Sequence, residues 1–248
     1  MMVLKSPHEV AIMRQAGRIV AAILERLRAE IRPGTKTRQL DLVAMTELQK
    51  YRAKASFKGY RGFPAHLCVS VNDEIVHGIP GERYLNEGDI VSLDFGAIVN
   101  GFHGDAAITV GVGEISSKTQ ELLAVTEAAL MVGIQAARNG NHIGDISAAI
   151  QNYVEARGFA IVREYSGHGV GRDLHEDPLV PNFGSPGEGP LLQKGMTLAI
   201  EPMVTAGDWR TRLGENRWTV RTADGSLSAH FEHTIAISED EPEILTLL

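Results

Sequence analysis

The sequence predicts an α+β fold built from two similar halves, each a pair of helices followed by a β-hairpin. Three observations carry this: apolar residues at helical spacing in each half, a strand–turn–strand pattern after the helices, and a faint internal repeat. Ile12, Ala16, Ile19, Val20, Ile23, Leu24 and Leu27 fall on one helical face. Ser6 can cap that helix, with Pro7 in its first turn and Glu9 completing a Ser-x-x-Glu box. Pro33-Gly34 reads as its stop. A second helix is predicted over residues 37 to about 52, with Leu40, Val43, Ala44 and Leu48 inward.

Strands follow. Residues 67–71 form a short apolar run, and residues 89–99 alternate, with Ile90, Val91, Leu93 and Phe95 apolar. Asn100-Gly101 is a strong hairpin signal, because both residues tolerate the positive φ of a two-residue turn. The return strand is predicted over residues 102–110. Helix signals resume over residues 119–138, stop at Asn139-Gly140, and restart over residues 143–157. Strand-like segments come next, at 159–165, 196–204, 218–222 and 230–237.

The repeat links the halves. Gly34 and Gly140 are 106 residues apart, and Asp94 and Glu201 are 107 apart. Each of these acids stands six positions after a glycine, Gly88 or Gly195. Asp105 and Ile108 reappear as Glu232 and Ile235 at an offset of 127, so the second hairpin holds about twenty additional residues. A single domain over residues 1–248 is expected, with pseudo-symmetric halves of about 1–113 and 114–248. The hairpins would face each other across a pseudo-twofold axis, in a mostly antiparallel sheet.

The 248 residues are 44% hydrophobic and 22% charged, the mix of a globular domain that needs no cross-link to hold a core. Cys68 is the sole cysteine, which excludes an internal disulfide and fits a reducing, cytoplasmic location. The net charge of −7 makes nucleic acid a poor partner. The local basic run Lys50, Arg52, Lys54, Lys58, Arg61 is read as a solvated helix end. No signal peptide is evident, and no run of ~18 apolar residues could span a membrane.

Four acids sit inside apolar, strand-like sequence: Asp94, Asp105, Glu201 and Glu232. An ionised carboxylate there is costly unless something positive pairs with it. Basic residues are scarce in these segments, and a metal ion would supply the charge. In the Asn100-Gly101 hairpin, pairing Val99 with Phe102 sets Asp94 opposite about position 107; a bulge or longer turn would set it opposite Asp105 instead. Either way two acids on adjacent strands would repel without an ion between them. His168, flanked by Gly167 and Gly169, adds an imidazole suited to a transition metal. Four carboxylates and one imidazole suit two divalent first-row ions better than one structural zinc.

The segments carrying these residues resemble the type I methionine aminopeptidase family. The resemblance runs through Val69 to Pro80 (Val-Ser-Val-Asn-Asp-Glu-Ile-Val-His-Gly-Ile-Pro), Ser92-Leu93-Asp94-Phe95-Gly96, Gly104-Asp105, Gly167-His168-Gly169-Val170-Gly171, His175-Glu176-Asp177-Pro178, Ile200-Glu201-Pro202-Met203, and Ser228-Ala229-His230-Phe231-Glu232-His233-Thr234. These occur in family order over nearly the whole chain.

The resemblance implies the duplicated "pita-bread" fold with a curved sheet. It implies a metalloaminopeptidase removing N-terminal methionine from nascent proteins whose second residue is small, through a hydroxide activated by two metals. Asp94 would chelate one ion, Asp105 and Glu232 would bridge, and His168 and Glu201 would complete the other. The ions would be Fe, Mn, Co or Zn. His77 and His175 match substrate-contacting histidines; with Glu201 they are the catalytic candidates. Tyr60, Phe63, Cys68 and Trp218 resemble the methionine pocket, and Cys68 reads as wall rather than nucleophile. Phe57 and Leu174 depart from side chains more usual in bacterial members. Asn72, Glu74 and Ser228 match positions that hold a monovalent cation in some members.

The implied partners are N-terminal Met peptides, nascent chains and, through Arg210, Arg212, Arg217 and Arg221, the ribosome. A monomer is expected, without membrane or nucleic-acid contacts. No zinc-finger or SH3-binding extension is expected before the domain.

Other enzyme classes fit less well. Gly167-x-Gly169-x-Gly171 is followed by residues 173–178 rather than by a helix, which argues against a dinucleotide site. No Walker A or His-Glu-x-x-His sequence occurs. The spacing of His168, Glu201 and Glu232 leaves no room for the inserted subdomain of type II relatives. Two alternatives remain: a prolidase or proline-specific aminopeptidase of the same fold, and a non-catalytic binding module on that fold.

Overall fold

The structure is a computed structural model and describes residues 2–248. In chain order the first half holds helices α1 (Pro7–Arg28) and α2 (Thr37–Tyr51), then strands β1 (Lys54–Ala55), β2 (Cys68–Val71), β3 (Glu74–Val76), β4 (Ile90–Val99) and β5 (Phe102–Gly111). The second half holds α3 (Ser117–Ala136) and α4 (Ile143–Glu155), then β6 (Ala160–Ile161), β7 (Ser166–Gly169), β8 (Glu176–Pro181) and β9 (Thr197–Ile200). It continues through β10 (Met203–Thr205), β11 (Thr211–Leu213), β12 (Val220–Thr222), β13 (Ser228–His230), β14 (Glu232–Ala236) and β15 (Glu243–Ile244). The predicted order of two helices then a hairpin holds in both halves.

The capping box of α1 forms as predicted: the Glu9 amide donates to Ser6 Oγ, and the Ser6 amide donates to Glu9 Oε2. The helix ends at Arg28, before Pro33-Gly34, because Leu27 is the last residue of its buried face. Helix α2 ends where Arg52 takes a left-handed conformation, at φ 55°.

One sheet joins the halves, in the order β1-β4-β5-β14-β9-β7-β8, with β2 also on β4 and β15 also on β14. Every strand pairing among the described residues is antiparallel. Asn100 and Gly101 both have positive φ (48° and 81°), and the ladder from Val99↔Phe102 runs without a bulge. Asp94 therefore faces Ala107, and Asp105 faces Gly96. The two acids are diagonal neighbours on one face of the hairpin.

Period-2 alternation sorts the sheet into two faces. Val91, Leu93, Phe95 and Ala97 pack with Val20, Ile23, Leu24, Leu27, Leu40, Ala44 and Leu48 of the first helix pair. Leu198, Ile200 and Ile235 pack with Leu122, Ala129, Ile146 and Ile150 of the second. The intervening positions, which include Asp94, Asp105 and Glu232, are left for the other face. Gly17 lets α1 lie close to the chain: a Cβ there would be 2.2 Å from the Leu245 carbonyl oxygen.

The predicted long strands 196–204 and 230–237 are each broken. Glu201-Pro202 separates β9 from β10, and Phe231 separates β13 from β14. Pro202 has no N–H to continue a ladder. Past these breaks β10 and β13 form a small sheet with β6, and β11 and β12 form another with β3. These strands account for the extra residues of the second hairpin.

Candidate metal centre and its pocket

The seam between the halves is made by β5 and β14, paired at Ala107↔Glu232 and Ala106↔His233. At its two ends, threonine hydroxyls take over from the backbone ladder. The Asp105 amide donates to Thr234 Oγ1 at 3.0 Å, and that hydroxyl donates to the Asp105 carbonyl at 2.7 Å. The His230 amide donates to Thr109 Oγ1 at 2.9 Å, and that hydroxyl donates to the His230 carbonyl at 2.8 Å. One threonine comes from each half, so the seam has twofold character.

The five predicted ligands line one cleft at this seam. Donor atoms of Asp105, His168 and Glu232 all lie within 4.8 Å of one another. His168 Nε2 is 3.5 Å from Glu201 Oε1. His168 lies on β7, opposite Ala199 of β9. The sequence showed it only as a glycine-flanked histidine, but Gly167 and Gly169 are strand residues. A Cβ at Gly167 would be 2.3 Å from the Ala199 carbonyl oxygen, so glycine admits the neighbouring strand.

Electrostatics at the cleft demand a cation. Asp94 Oδ1, Asp105 Oδ1 and Glu232 Oε1 are buried without a hydrogen-bond partner among the described residues. No Lys or Arg among the described residues forms an ion pair with any of the four acids. Burial, with the mutual repulsion of the acids, drives Asp94, Glu201 and Glu232 well above the usual carboxylate range. Burial pushes Asp105 up to about 7. Burial holds His168 down to about 4, so its ring is neutral and able to ligate. Four crowded, unpaired acids beside a neutral imidazole fit divalent cations.

Beside the acids, Phe57, Tyr60, Phe63, Cys68, Leu174 and Trp218 form the apolar wall. Phe63 meets Phe57 and Trp218 edge-on, at 6.5 Å and 5.2 Å. The wall thus contains every predicted pocket residue together with the two departures. Cys68 lies opposite Asp94. Burial and the nearby acids push its thiol well above the usual range, which makes it a poor nucleophile.

His175 stacks on Tyr60 at 5.3 Å and lies 4.0 Å from the His168 ring. Its Nδ1 is 2.9 Å from the Tyr60 hydroxyl. Desolvation, then the neighbouring His168 and Arg61, lower it to about 3. His77 also lines the cleft and has φ 59°, a conformation unusual for a histidine. Its pKa is lowered by burial.

Two residues are not marked as site residues by local sequence: Arg61 in the cleft, and His230 behind it. Arg61 was assigned to a solvated helix end, yet it lines the cleft and lies over Tyr60. His230 is buried beside Glu201 and Glu232. The 127-residue offset that relates Asp105 to Glu232 also relates His103 to His230, and could have flagged it.

Other predicted features lie away from the cleft. Asn72 bonds Asp89 and the Ile90 amide, Glu74 takes the Val71 amide, Arg83 and Arg221, and Ser228 bonds the Val204 carbonyl. Their side chains are committed to these partners. Arg210 pairs with Asp208, and Arg212 and Arg221 pair with Asp73. These pairings reduce the positive surface on offer to a ribosome. No helix among the described residues is long and apolar enough to cross a membrane.

Comparison with known proteins agrees with this geometry. The sequence profile of metallopeptidase family M24 matches residues 11–239. Methionine aminopeptidase 1 of Bacillus subtilis (strain 168) is 54% identical over 246 residues, covering 99% of each chain. The crystal structure of methionine aminopeptidase from Thermotoga maritima superposes with a TM-score of 0.99 at 48% identity, covering 100% of both chains. Prolidase from Pyrococcus furiosus shares the fold at 21% identity and a TM-score of 0.82, with 66% of that chain covered.

Proposed function

Since the chain belongs to metallopeptidase family M24, we propose from that premise that it is a methionine aminopeptidase of the type I class. It releases N-terminal methionine from peptides and nascent chains whose second residue is small. The observation that carries this is the cluster of unpaired buried acids and a neutral imidazole beside an apolar wall in one cleft. Residues 1–248 act as one catalytic unit, whose halves of about 1–113 and 114–248 share the β5–β14 seam. We take the working form to be a monomer in the cytoplasm.

Asp94, Asp105, His168, Glu201 and Glu232 would hold two divalent cations, Fe, Mn, Co or Zn. Such ions would supply a water of near-neutral pKa and Lewis-acid polarisation of the scissile carbonyl. The protein supplies the remaining steps. Phe57, Tyr60, Phe63, Cys68, Leu174 and Trp218 receive the methionine side chain and exclude water from it.

The Tyr60 hydroxyl can donate to His175 Nδ1, which assigns the ring proton to Nε2. Nε2–H then donates to the substrate carbonyl oxygen as negative charge develops there. His77, held at positive φ in the cleft wall, contacts the substrate backbone. Glu201 relays the proton from the water to the leaving amine.

The test is a peptidase assay after chelation, with Mn, Fe, Co and Zn returned in turn. Met-Ala-Ser should be uncut without metal and cut when at least one is restored, while Xaa-Pro peptides stay intact. Preferential Xaa-Pro cleavage would make the chain a prolidase. Metal binding without any cleavage would make it a binding module. His175→Ala should lower turnover on the order of 100-fold or more with metal content unchanged; empty sites in that variant would remove His175 from its role.

A further inference from the structure

His230 is 1% exposed, and neither of its ring nitrogens has a hydrogen-bond partner. A neutral imidazole always carries one N–H donor and one acceptor, so burying both unpaired is costly. Other histidines beside the sheet, two buried and one half-buried, avoid that cost. His103 Nδ1 meets Ser56 Oγ at 2.9 Å, His168 Nδ1 meets the Gly169 carbonyl at 2.9 Å, and His233 Nδ1 meets Thr246 Oγ1 at 2.8 Å. His103 is the mate of His230 in the repeat, each standing two residues before an acid of the seam. In the first half that ring is spent on a serine; in the second it faces the acids.

The backbone holds it there. Thr109 clamps both the amide and the carbonyl of His230, and Met203 pairs with it across β10–β13. From that fixed base, Nε2 lies 3.6 Å from Glu201 Oε2 and 3.9 Å from Glu232 Oε2. The gap to Glu201 is a few tenths of an ångström beyond a hydrogen bond. A glutamate's terminal torsion is broad enough to close it.

We propose that His230 is a positioning residue of the metal centre: its Nε2–H donates to Glu201 Oε2 and so fixes Glu201 Oε1 toward His168 and the shared site. This rests on the metal-binding reading above. Glu201 Oε1 is the oxygen next to His168 Nε2, so one carboxylate has one oxygen on each imidazole. Held this way, Glu201 cannot rotate its two oxygens between roles. Partners of this kind orient ligands, and losing one typically weakens metal binding about 10–100-fold.

The experiment compares wild type, His230→Ala and His230→Gln by Co(II) titration calorimetry and by the visible absorption of the Co(II)-loaded protein. His230→Leu, closer in volume, provides a second apolar variant if His230→Ala does not fold. The apolar variants should bind Co(II) about 10–100-fold more weakly, with bands that shift as Glu201 loosens and that return in His230→Gln. His230→Gln, which keeps an N–H donor, should recover most of the loss. Unchanged affinity in the apolar variants overturns the proposal. A shifted Co(II) spectrum that His230→Gln does not restore also overturns it, by making His230 a direct ligand. A wild-type chain that binds no Co(II) overturns the metal reading itself, and this inference with it.

Discussion

Thr234 holds Asp105 by both of its main-chain polar groups, accepting from the amide at 3.0 Å and donating to the carbonyl at 2.7 Å. The bond crosses from one half of the molecule to the other, at a fully buried position. Thr234→Val keeps the shape and removes the hydroxyl, leaving two buried polar groups unpaired. The expected loss is about 2–3 kcal/mol in urea unfolding of the metal-free protein. Thr234→Ser should lose less than half as much. Equal losses for both variants would trace the effect to packing of the methyl group instead.

Metal uptake should release protons, and more of them in acid. Burial holds Asp105 at about 7, against roughly 3.9 for an unfolded aspartate. The sign follows: at pH 6 its carboxyl is mostly protonated, and a divalent cation takes only the carboxylate. Apparent affinity should therefore weaken as pH falls below about 7. His168, held down to about 4, is neutral throughout this window and adds nothing. Calorimetric Co(II) titrations in two buffers of different ionisation heat give the proton count. Release should be larger at pH 6 than at pH 8.5; the reverse order would mean that the acids are already ionised in the metal-free protein.

Cys68 should be dispensable and inert. Its thiol is buried, lies opposite Asp94, and is pushed up by burial and by the acids around it. Iodoacetamide should leave the native protein unmodified. Cys68→Ala should keep cleavage within a few-fold and cost about 1 kcal/mol for the lost sulfur contact. Loss of activity on alkylation of the folded protein would reopen a role for the thiol.

What the sequence made legible was local and periodic. The Asn100-Gly101 turn announced its hairpin because both residues accept positive φ, and the regular ladder then placed Asp94 and Asp105 on one face. The acids were conspicuous because each interrupts an apolar strand. Strands β7 and β8 were not legible. The glycines of β7 and the prolines of β8 read as loop, and only the neighbouring strand explains them: a Cβ at Gly169 would be 2.3 Å from the Asp177 carbonyl oxygen. Pro202 is a local signal for the break after β9, but the break at Phe231 depends on the chain leaving one sheet for another, which no local pattern encodes. The repeat offset marks His230 in the sequence, and those breaks turn it toward Glu201.

The last prediction concerns how His175 is held in place. Lys5 Nζ lies 2.5 Å from Glu176 Oε2, with the two side chains 3% and 12% exposed. The Lys5 amide donates to the Gly195 carbonyl at 2.7 Å, so the segment before α1 is strapped to the second half. Glu176 Oε1 accepts from the Asp173 amide at 3.2 Å, which draws in the loop that carries His175. Gly171 makes room for the pair, since a Cβ there would be 2.4 Å from Glu176 Oε1 and 2.5 Å from Lys5 Cε. Lys5→Met leaves Glu176 without its cation. Breaking a buried pair costs about 3–5 kcal/mol, and the partial exposure of Glu176 argues for the lower end. Turnover should fall several-fold while metal affinity holds, because the loop is disturbed and the acids are not. The double variant Lys5→Met with Glu176→Gln should regain part of the lost stability in urea unfolding, since no unpaired charge remains. If the double variant is as unstable as the single one, the strap works through packing of the lysine stem, and the charge pair contributes nothing.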